Sequence, residues 1–450
     1  MYAKFDSTTK ELCLFALPML LGNILQSCYN MVDMAVVGQF VGRDGLAAVR
    51  NTSMICFVSN SLCIGFTVGG NVLVARCRGA GSLAGQREII QTLFTLSAVG
   101  GVLLTGLNYA LYPLMLGLMN IPAEAHPYAV EYMDIICAGN FFVFGYNALC
   151  AVMRGLGDSR RPLHFIAVAA GINIILDYLL VGGLHWGVRG AAMATVLSQA
   201  VSCGVALVSL LRRSEANYGL AHLFSLRAML HVSAGKCGLL LRQGLPVAFH
   251  YSVLNISYII VTALFNEYGT AAAAAAGIGL KINTFVAMPC WAIGQAVTTF
   301  AGHSMGAANP NAAAKAARNG IKTALLFTGA LLALIHLFIR PFLGFFSPDP
   351  EVVELGILYL RICCFVNFMP YVAMYILDSF AIGVGSPIFA TANSLFQSVV
   401  IRLGLSFYLG LCMDNGFVAL CMAESVSPLI PCLIGMAYFR QGGWRRCRQG

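Results

Sequence analysis

The sequence predicts an all-α polytopic membrane protein with twelve transmembrane helices in two pseudo-symmetric six-helix lobes around a central cavity. The first observation is composition: of 450 residues, 59% are apolar and only 10% are charged, with a mean hydropathy of +0.79. A soluble domain carries about a quarter of charged residues. The second observation is a repeat at an offset of 227 or 228 positions. Its landmarks are Pro18 with Pro246, Pro113 with Pro341, Tyr132 with Tyr359, Asn140 with Asn367, and Gly155-x-Gly157 with Gly383-x-Gly385.

Twelve apolar runs give the predicted spans. Each run is about 20 residues or longer, which is the length that crosses a hydrocarbon layer of ~30 Å as an α-helix. Six runs precede the midpoint of the chain and six follow it, as the repeat requires. They cover 12–36, 46–74, 89–112, 128–152, 163–183, 190–211, 243–266, 276–301, 320–341, 352–381, 388–411 and 416–439.

The polar stretches between these runs divide the chain into four predicted parts. An N-terminal six-helix lobe, the ion-coupling one, covers 1–211, and a C-terminal six-helix lobe covers 243–440. Between them, 212–242 is a basic stretch with some helical periodicity, which favours a cytoplasmic linker lying on the membrane surface. Residues 441–450 form a basic cytoplasmic tail.

The basic residues predict the orientation. If the amino terminus is cytoplasmic and the spans alternate, 20 of the 27 lysines and arginines fall in cytoplasmic segments. This bias is the positive-inside pattern, so we expect a multi-pass protein of the cell (inner) membrane with both termini cytoplasmic. The net charge of +9 is spread over loops on one membrane face, which argues against nucleic acid as a partner.

A polar stripe in the first span contains the first candidate site residue. Gln26, Tyr29, Asn30 and Asp33 are spaced three or four apart and therefore share one helical face. A carboxylate within a span is costly and normally faces a cavity or a partner. The bland alternative is that Asp33, late in its span, caps the helix end.

Two further spans of the first half carry matching stripes. Asp177 follows Asn173 by one turn in the fifth span, and Gln199 follows Thr195 by one turn in the sixth. Two close carboxylates cannot both ionise cheaply, so such a pair can hold a proton near neutral pH. With Asn and Thr oxygens the same acids would instead form a hard-cation site suited to Na⁺. Local hydrogen bonding is again the alternative.

The second half lacks these acids at the matching positions. Val261 stands opposite Asp33 and Leu405 opposite Asp177, so we expect ion coupling in the first lobe. Asp378 and Glu424 are candidate polar site residues of the second lobe, for substrate or ion handling. Structural pairing, or snorkelling to an interface, is the competing explanation for the charges in these spans. The charges are Lys281, Arg361, Asp378, Arg402 and Glu424.

Five blocks of sequence and their spacing form a specific pattern, together with Pro18 and Asp33, which are separated by fourteen residues. The blocks are YNMVDMAVVGQFVGRDGLAAV at 29–49, GGNVLVARCRGAG at 69–81, MRGLGDSRRPL at 153–163, NIILDYLLVGG at 173–183 and GVRGAAMATVLSQ at 187–199. In this pattern the chain resembles, over nearly its whole length, the multidrug and toxic compound extrusion (MATE) transporters. The resemblance implies twelve helices in two lobes and antiport, in which drugs leave as Na⁺ or H⁺ enters.

Within that family the chain is similar to the DinF-like branch. The branch's site of two aspartates, an asparagine and a threonine corresponds here to Asp33, Asp177, Asn173 and Thr195, with Gln26, Tyr29, Asn30 and Gln199 nearby. Pro18 stands at the helix-bending position. The NorM-like branch has a glutamate early in the seventh span, whereas VAFHYSVLN follows Pro246 here.

The residues and the resemblance together predict a secondary active multidrug efflux antiporter. Its 28 Phe, 17 Tyr and 18 Met can bind amphipathic, often cationic drugs or dyes through cation–π and soft apolar contacts. We expect a monomer in the lipid bilayer, with no cofactor besides the coupling ion, H⁺ or Na⁺. No G-x-S-x-G, H-E-x-x-H or P-loop motif points to an enzyme. The alternative is a flippase for lipid-linked precursors, a relative of similar repeated architecture.

Overall fold

The structure, a computed structural model, describes residues 8–118, 124–218, 233–412 and 416–446. Six long helices make up the first half, and a π-helical segment, Tyr178–Gly183, continues the fifth. They are α1 (Thr9–Phe40), α2 (Arg43–Gly79), α3 (Leu83–Leu118), α4 (His126–Gly155), α5 (Arg160–Asp177) and α6 (Gly187–Tyr218).

The second half contains more but shorter helices. The π-helical segments Leu360–Val366 and Phe396–Leu403 interrupt two of its spans, and short breaks at Phe338 and at 427–428 divide the chain into further helices. The helices are α7 (Ala234–Asn266), α8 (Thr270–Gly306), α9 (Pro310–Leu337), α10 (Ile339–Phe346), α11 (Pro350–Tyr359), α12 (Phe368–Gly383), α13 (Pro387–Leu395), α14 (Gly404–Cys412), α15 (Gly416–Val426) and α16 (Leu429–Gln441).

The number of spans agrees with the sequence. Among the described residues, eleven helices are long and apolar enough to cross a membrane, and the bent pair Pro350–Cys364 and Phe368–Gly383 makes a twelfth if it is one span. The two parts of this pair meet at 50°. Pro370 explains part of the bend, since its ring cannot donate to the carbonyl of residue 366. The predicted all-α polytopic fold is confirmed.

Large apolar side chains on the outer faces of the helices support the membrane assignment. Leu326 is 69% exposed and Leu337 is 75% exposed, both on α9. In water such a surface would associate, whereas in a bilayer it lies against lipid tails of the same polarity.

The repeat extends to backbone conformation. Gly42, before α2, has a φ of 92°, and Gly269, 227 positions later and before α8, has a φ of 98°. Gly157 and Gly385 form a second pair, with φ of 88° and 84°. Left-handed backbone of this kind costs little only for glycine. The matched glycines therefore show that both halves use the same turns.

The chain forms two compact units, which we describe separately. One unit contains residues 21–248, and the other contains 249–446 together with the described residues 8–20, which include the start of α1. The predicted lobe limits at 211 and 243 remain a prediction. Helix enters the predicted linker from both sides, to Tyr218 and from Ala234, while 219–232 lie outside the described residues. Of the predicted tail, 443–446 form a short 3₁₀ helix.

In the first unit α4 packs against α2, α3 and α6 and is therefore its central helix. Small residues on α2 allow a close crossing with the start of α7. A Cβ at Gly69 would lie 2.6 Å from the Cα of Gly244, so only glycine fits at this contact. Such crossings hold membrane helices together by backbone packing, because lipid gives no hydrophobic drive for association.

Candidate ion-coupling site

The polar stripe of α1 lies well inside its helix. Asp33 is seven residues before the end of α1 at Phe40 and is only 9% exposed. An aspartate there does not cap a helix end, so the local alternative considered for Asp33 does not apply. Gln26 and Asn30 are exposed, whereas Tyr29 is half-buried between them and Asp33.

The fifth span contributes the most deeply buried acid of the site. Asn173 is 1% exposed and Asp177 is 0% exposed, both on α5. Asp177 is the last residue of the α-helical part, and the π-helical segment Tyr178–Gly183 begins directly after it. Wide turns of this kind are frequent at functional sites, because they change the direction in which side chains project.

The two aspartates, on α1 and α5, lie close enough to interact electrostatically. Their oxygens, however, are poorly satisfied. Among the described residues no hydrogen-bond partner exists for Oδ1 of Asp33, for either carboxylate oxygen of Asp177, or for the side-chain oxygen and nitrogen of Asn173. Buried polar atoms in proteins are normally paired, so a concentration of unpaired oxygens indicates a binding position for a proton, a cation or water.

Tyr29 connects α1 to α6. Its side chain lies close enough to the side chains of Gln26, Asp33 and Gln199 to interact with all three. Thr195, one turn before Gln199, is half-buried. The described contacts do not join the hydroxyl of Thr195 to either aspartate, and they give Asn30 no partner in the site. The structure therefore brings together Gln26, Tyr29, Asp33, Asp177 and Gln199, with Asn173 one turn from Asp177.

Tyr132 is a site neighbour that the sequence reasoning used only as a repeat landmark. It lies on α4, the central helix of the unit, and is 5% exposed. The side chain is close enough to Asp33, Asp177 and Tyr29 to interact electrostatically with all three. Its recurrence as Tyr359 was the one feature of the sequence that could have marked it.

The arrangement can hold one positive charge. Two carboxylates close together in a poorly solvated site repel each other, and either a shared proton or a small cation removes that repulsion. Within the described ranges, no group of three or more His, Cys, Asp or Glu side chains is placed to hold a metal ion. A cation at this site would therefore have the two carboxylates and neutral oxygens as ligands, a hard set that suits Na⁺.

In the second unit Asp378 has partners of its own. It is 3% exposed and accepts hydrogen bonds from Nδ2 of Asn393 at 2.8 Å and from Oγ of Ser394 at 3.5 Å. This environment satisfies the carboxylate, in contrast to Asp177. Glu424, 2% exposed, accepts from the hydroxyl of Tyr359 at 3.1 Å through one oxygen.

Pro18 lies inside α1, buried, fifteen residues before Asp33. Because proline has no N–H, the carbonyl of residue 14 loses its helical partner there, although the helix continues to Phe40. α1 passes from one compact unit to the other between residues 20 and 21, next to this proline.

Comparison with known proteins agrees with the repeat. The sequence model of the MatE family matches the chain twice, over residues 18–179 and again over 246–408. The two matches begin at the repeat-paired prolines Pro18 and Pro246.

Full-length relatives exist among curated bacterial proteins. The chain is 28% identical over 407 residues to the probable multidrug resistance protein YoeA of Bacillus subtilis, covering 90% of this chain and 87% of the relative. It is 26% identical over 454 residues to the probable multidrug resistance protein YpnP of the same organism, covering 97% and 96%.

A solved structure shows the same fold. The outward-facing conformation of a multidrug resistance MATE family transporter of the MOP superfamily superimposes with a TM-score of 0.88. The match covers 98% of this chain and 97% of that one at 23% identity.

Proposed function

Because this chain belongs to the MatE family of multidrug and toxic compound extrusion transporters, we propose that it is a secondary active antiporter that exports amphipathic, often cationic drugs in exchange for H⁺ or Na⁺. Membership makes it a multi-pass membrane transporter of small molecules rather than an enzyme. The coupling ion, its site and the charge of the drugs are the proposed part.

The observation that carries the proposal is the set of unpaired buried oxygens on Asp33, Asn173 and Asp177. An ion bound there neutralises the carboxylates and changes the free energy of whichever conformation exposes them. If drug affinity differs between the same two conformations, ion binding and drug binding are coupled by that difference. Inward movement of the ion then drives outward movement of the drug.

The drug side of the exchange rests on composition and on the relatives. Relatives named as multidrug resistance proteins cover most of this chain. Aromatic and methionine side chains bind amphipathic cations with little demand on shape.

The proposed setting is the cell (inner) membrane, with both termini in the cytoplasm and the protein working as a monomer without nucleic acid. The distribution of lysine and arginine over alternate loops supports this orientation. Cysteines introduced one at a time into successive loops of the protein, and labelled from outside intact cells, would test this orientation.

The decisive experiment measures the efflux of a fluorescent cation from lipid vesicles that contain the protein. Na⁺ and pH gradients are imposed separately. Wild-type protein should concentrate the dye outward under one of the gradients and not without it. Asp33→Asn should abolish that dependence. Asp134→Asn is the matched control, because Asp134 is an exposed acid of the same unit that accepts from Tyr112 at 2.6 Å.

Two results would contradict the proposal. Gradient-driven efflux that survives Asp33→Asn at the wild-type rate, normalised to inserted protein, would remove the site. Transfer of a fluorescent lipid-linked precursor across the same vesicles, without dye efflux, would favour the flippase instead.

A further inference from the structure

The second unit contains a buried cation that belongs to the chain itself. Arg402, in the π-helical segment Phe396–Leu403, is 1% exposed, and Glu424 on α15 is 2% exposed. We propose that the guanidinium of Arg402 is a tethered cation that occupies, in the second half of the chain, the position at which the first half binds its coupling ion. This comparison rests on the proposed coupling site of the first half.

The groups that hold the guanidinium come from one face of α7. Nε of Arg402 donates to Oγ of Ser257 at 3.1 Å, and Nη2 donates to the backbone carbonyl of Leu254 at 3.4 Å. The guanidinium carbon lies 4.0 Å from the ring centre of Tyr258, a favourable position for a cation.

These three positions correspond to the polar stripe of α1. At the repeat offset of 228, their equivalents in the first half are Gln26, Tyr29 and Asn30. The stripe that faces the candidate ion in one half therefore corresponds to the face that holds the guanidinium in the other.

An acid that is near Arg402, though not in direct ion-pair contact with it, occupies a corresponding position too. At the offset of 228, Thr195 corresponds to Ala423, and Glu424 is the next residue. Glu424 interacts electrostatically with Arg402. Its Oε2 accepts from Tyr359, which is the repeat equivalent of Tyr132 beside the two aspartates. The four spans that build the first-half site thus have equivalents that build this cluster.

The packing around Tyr359 holds the cluster in place. A Cβ at Gly279 of α8 would lie 2.2 Å from the ring of Tyr359, so the glycine lets the ring lie directly on the helix. The ring is 0% exposed, which directs its hydroxyl to Glu424.

Charge accounts for the difference between the halves. A buried guanidinium without a nearby carboxylate, or the reverse, is strongly unfavourable, whereas the pair is tolerated. In the first half the two aspartates have no such resident cation among the described residues, so they need an exchangeable one. In the second half valine and leucine replace both aspartates, Glu424 supplies one negative charge, and Arg402 balances it. In the second half the cation position is therefore always occupied, by the guanidinium of Arg402.

The test uses purified full-length protein in detergent and measures the thermal unfolding midpoint, in NaCl and in N-methylglucamine chloride of equal ionic strength. R402M should lower the midpoint by on the order of 5 °C, since Glu424 loses its cation. Na⁺ should restore part of this loss, because the freed site keeps the oxygens of Glu424, Ser257 and Leu254. R402K should stay near the wild type in both salts.

The double variant R402M/E424Q should recover most of the loss and show no added response to Na⁺. R361M is the matched control, because Arg361 is an exposed arginine of the same unit, and its midpoint should not move. If R402M does not accumulate, recovery of folded protein in the double variant becomes the measurement.

An equal loss of stability in R402M and in R402M/E424Q would overturn the inference. So would an unfolding midpoint of R402M that is the same with and without Na⁺. A loss in R402K as large as in R402M would do the same, because it would assign the role to hydrogen-bond geometry rather than charge. None of these measurements involves transport, so failure of the proposed antiport leaves them interpretable.

Discussion

Asp177→Asn should abolish ion-driven efflux and at the same time stabilise the protein when no coupling ion is bound. Asparagine has the size and much of the hydrogen-bonding capacity of aspartate but cannot carry its charge. Asp177 is 0% exposed, and neither of its carboxylate oxygens has a partner among the described residues. Burial of the unpaired carboxylate therefore lowers the stability of the protein, and binding of the ion removes this cost.

The magnitude follows from the cost of unpaired buried groups. A neutral unpaired group costs about 1–3 kcal/mol, and a charged one costs more. Exchanging the charged for the neutral group should raise the free energy of unfolding by at least about 1 kcal/mol in Na⁺-free buffer at an alkaline pH, where the aspartate is ionised. For a lobe-sized unit of 150–250 residues, that corresponds to a rise in the unfolding midpoint of about 2–4 °C.

The assay combines dye efflux from vesicles with thermal unfolding of the same preparations. The variant should show no gradient-dependent efflux, a raised midpoint, and a midpoint that responds less than the wild type to added Na⁺ or to acidification. Asp134→Asn should differ from the wild type in none of the three. A variant that is less stable than the wild type in Na⁺-free buffer at alkaline pH, or that still concentrates dye at the wild-type rate, would refute the reasoning.

Three further substitutions test neighbouring parts of the structure. Pro18→Ala should slow turnover while ion-dependent stabilisation persists, because alanine is about 3 kcal/mol more favourable inside a helix and removes no ligand; unchanged turnover would show that α1 needs no proline. Tyr132→Phe should change the ion concentration for half-maximal efflux severalfold, because it removes one hydroxyl near Asp33 and such a group contributes about 1 kcal/mol. An unchanged ion titration would place Tyr132 outside the site. Asp378→Asn should alter stability or drug affinity but keep the gradient dependence, since Asp378 is already paired with Asn393; loss of gradient-driven efflux there, with Asp33→Asn still active, would assign coupling to the second lobe.

Most residues of the candidate site could be proposed from the sequence, because burial in a membrane makes a charge costly. Asp33 and Asp177 stand out in apolar spans, and helical periodicity alone aligns Gln26 and Tyr29 with Asp33. The cost of burial alone does not separate Asp378 from Asp177, since both are acids in spans; the repeat favoured Asp177 and left structural pairing open for Asp378. Only the neighbouring helix decides that one has Asn393 as a partner and the other has none.

The surroundings of Tyr132 and Arg402 could not be predicted from patterns in the sequence. A tyrosine in an apolar span is unremarkable by composition, and its closeness to Asp33 depends on α4 lying at the centre of its unit. The sequence presents Arg402 as one of several charges in the second half. Its distinction from the exposed Arg361 arises from packing against α7.

The sequence by itself determined the all-helical polytopic class, the repeat and the acids available for coupling, because hydropathy, offset and charge are properties of the chain taken in order. The tertiary structure decided which polar atoms are left without partners and which are satisfied. Hydrogen bonds between helices far apart in sequence depend on distances of a few ångströms, and no spacing along the chain specifies those distances.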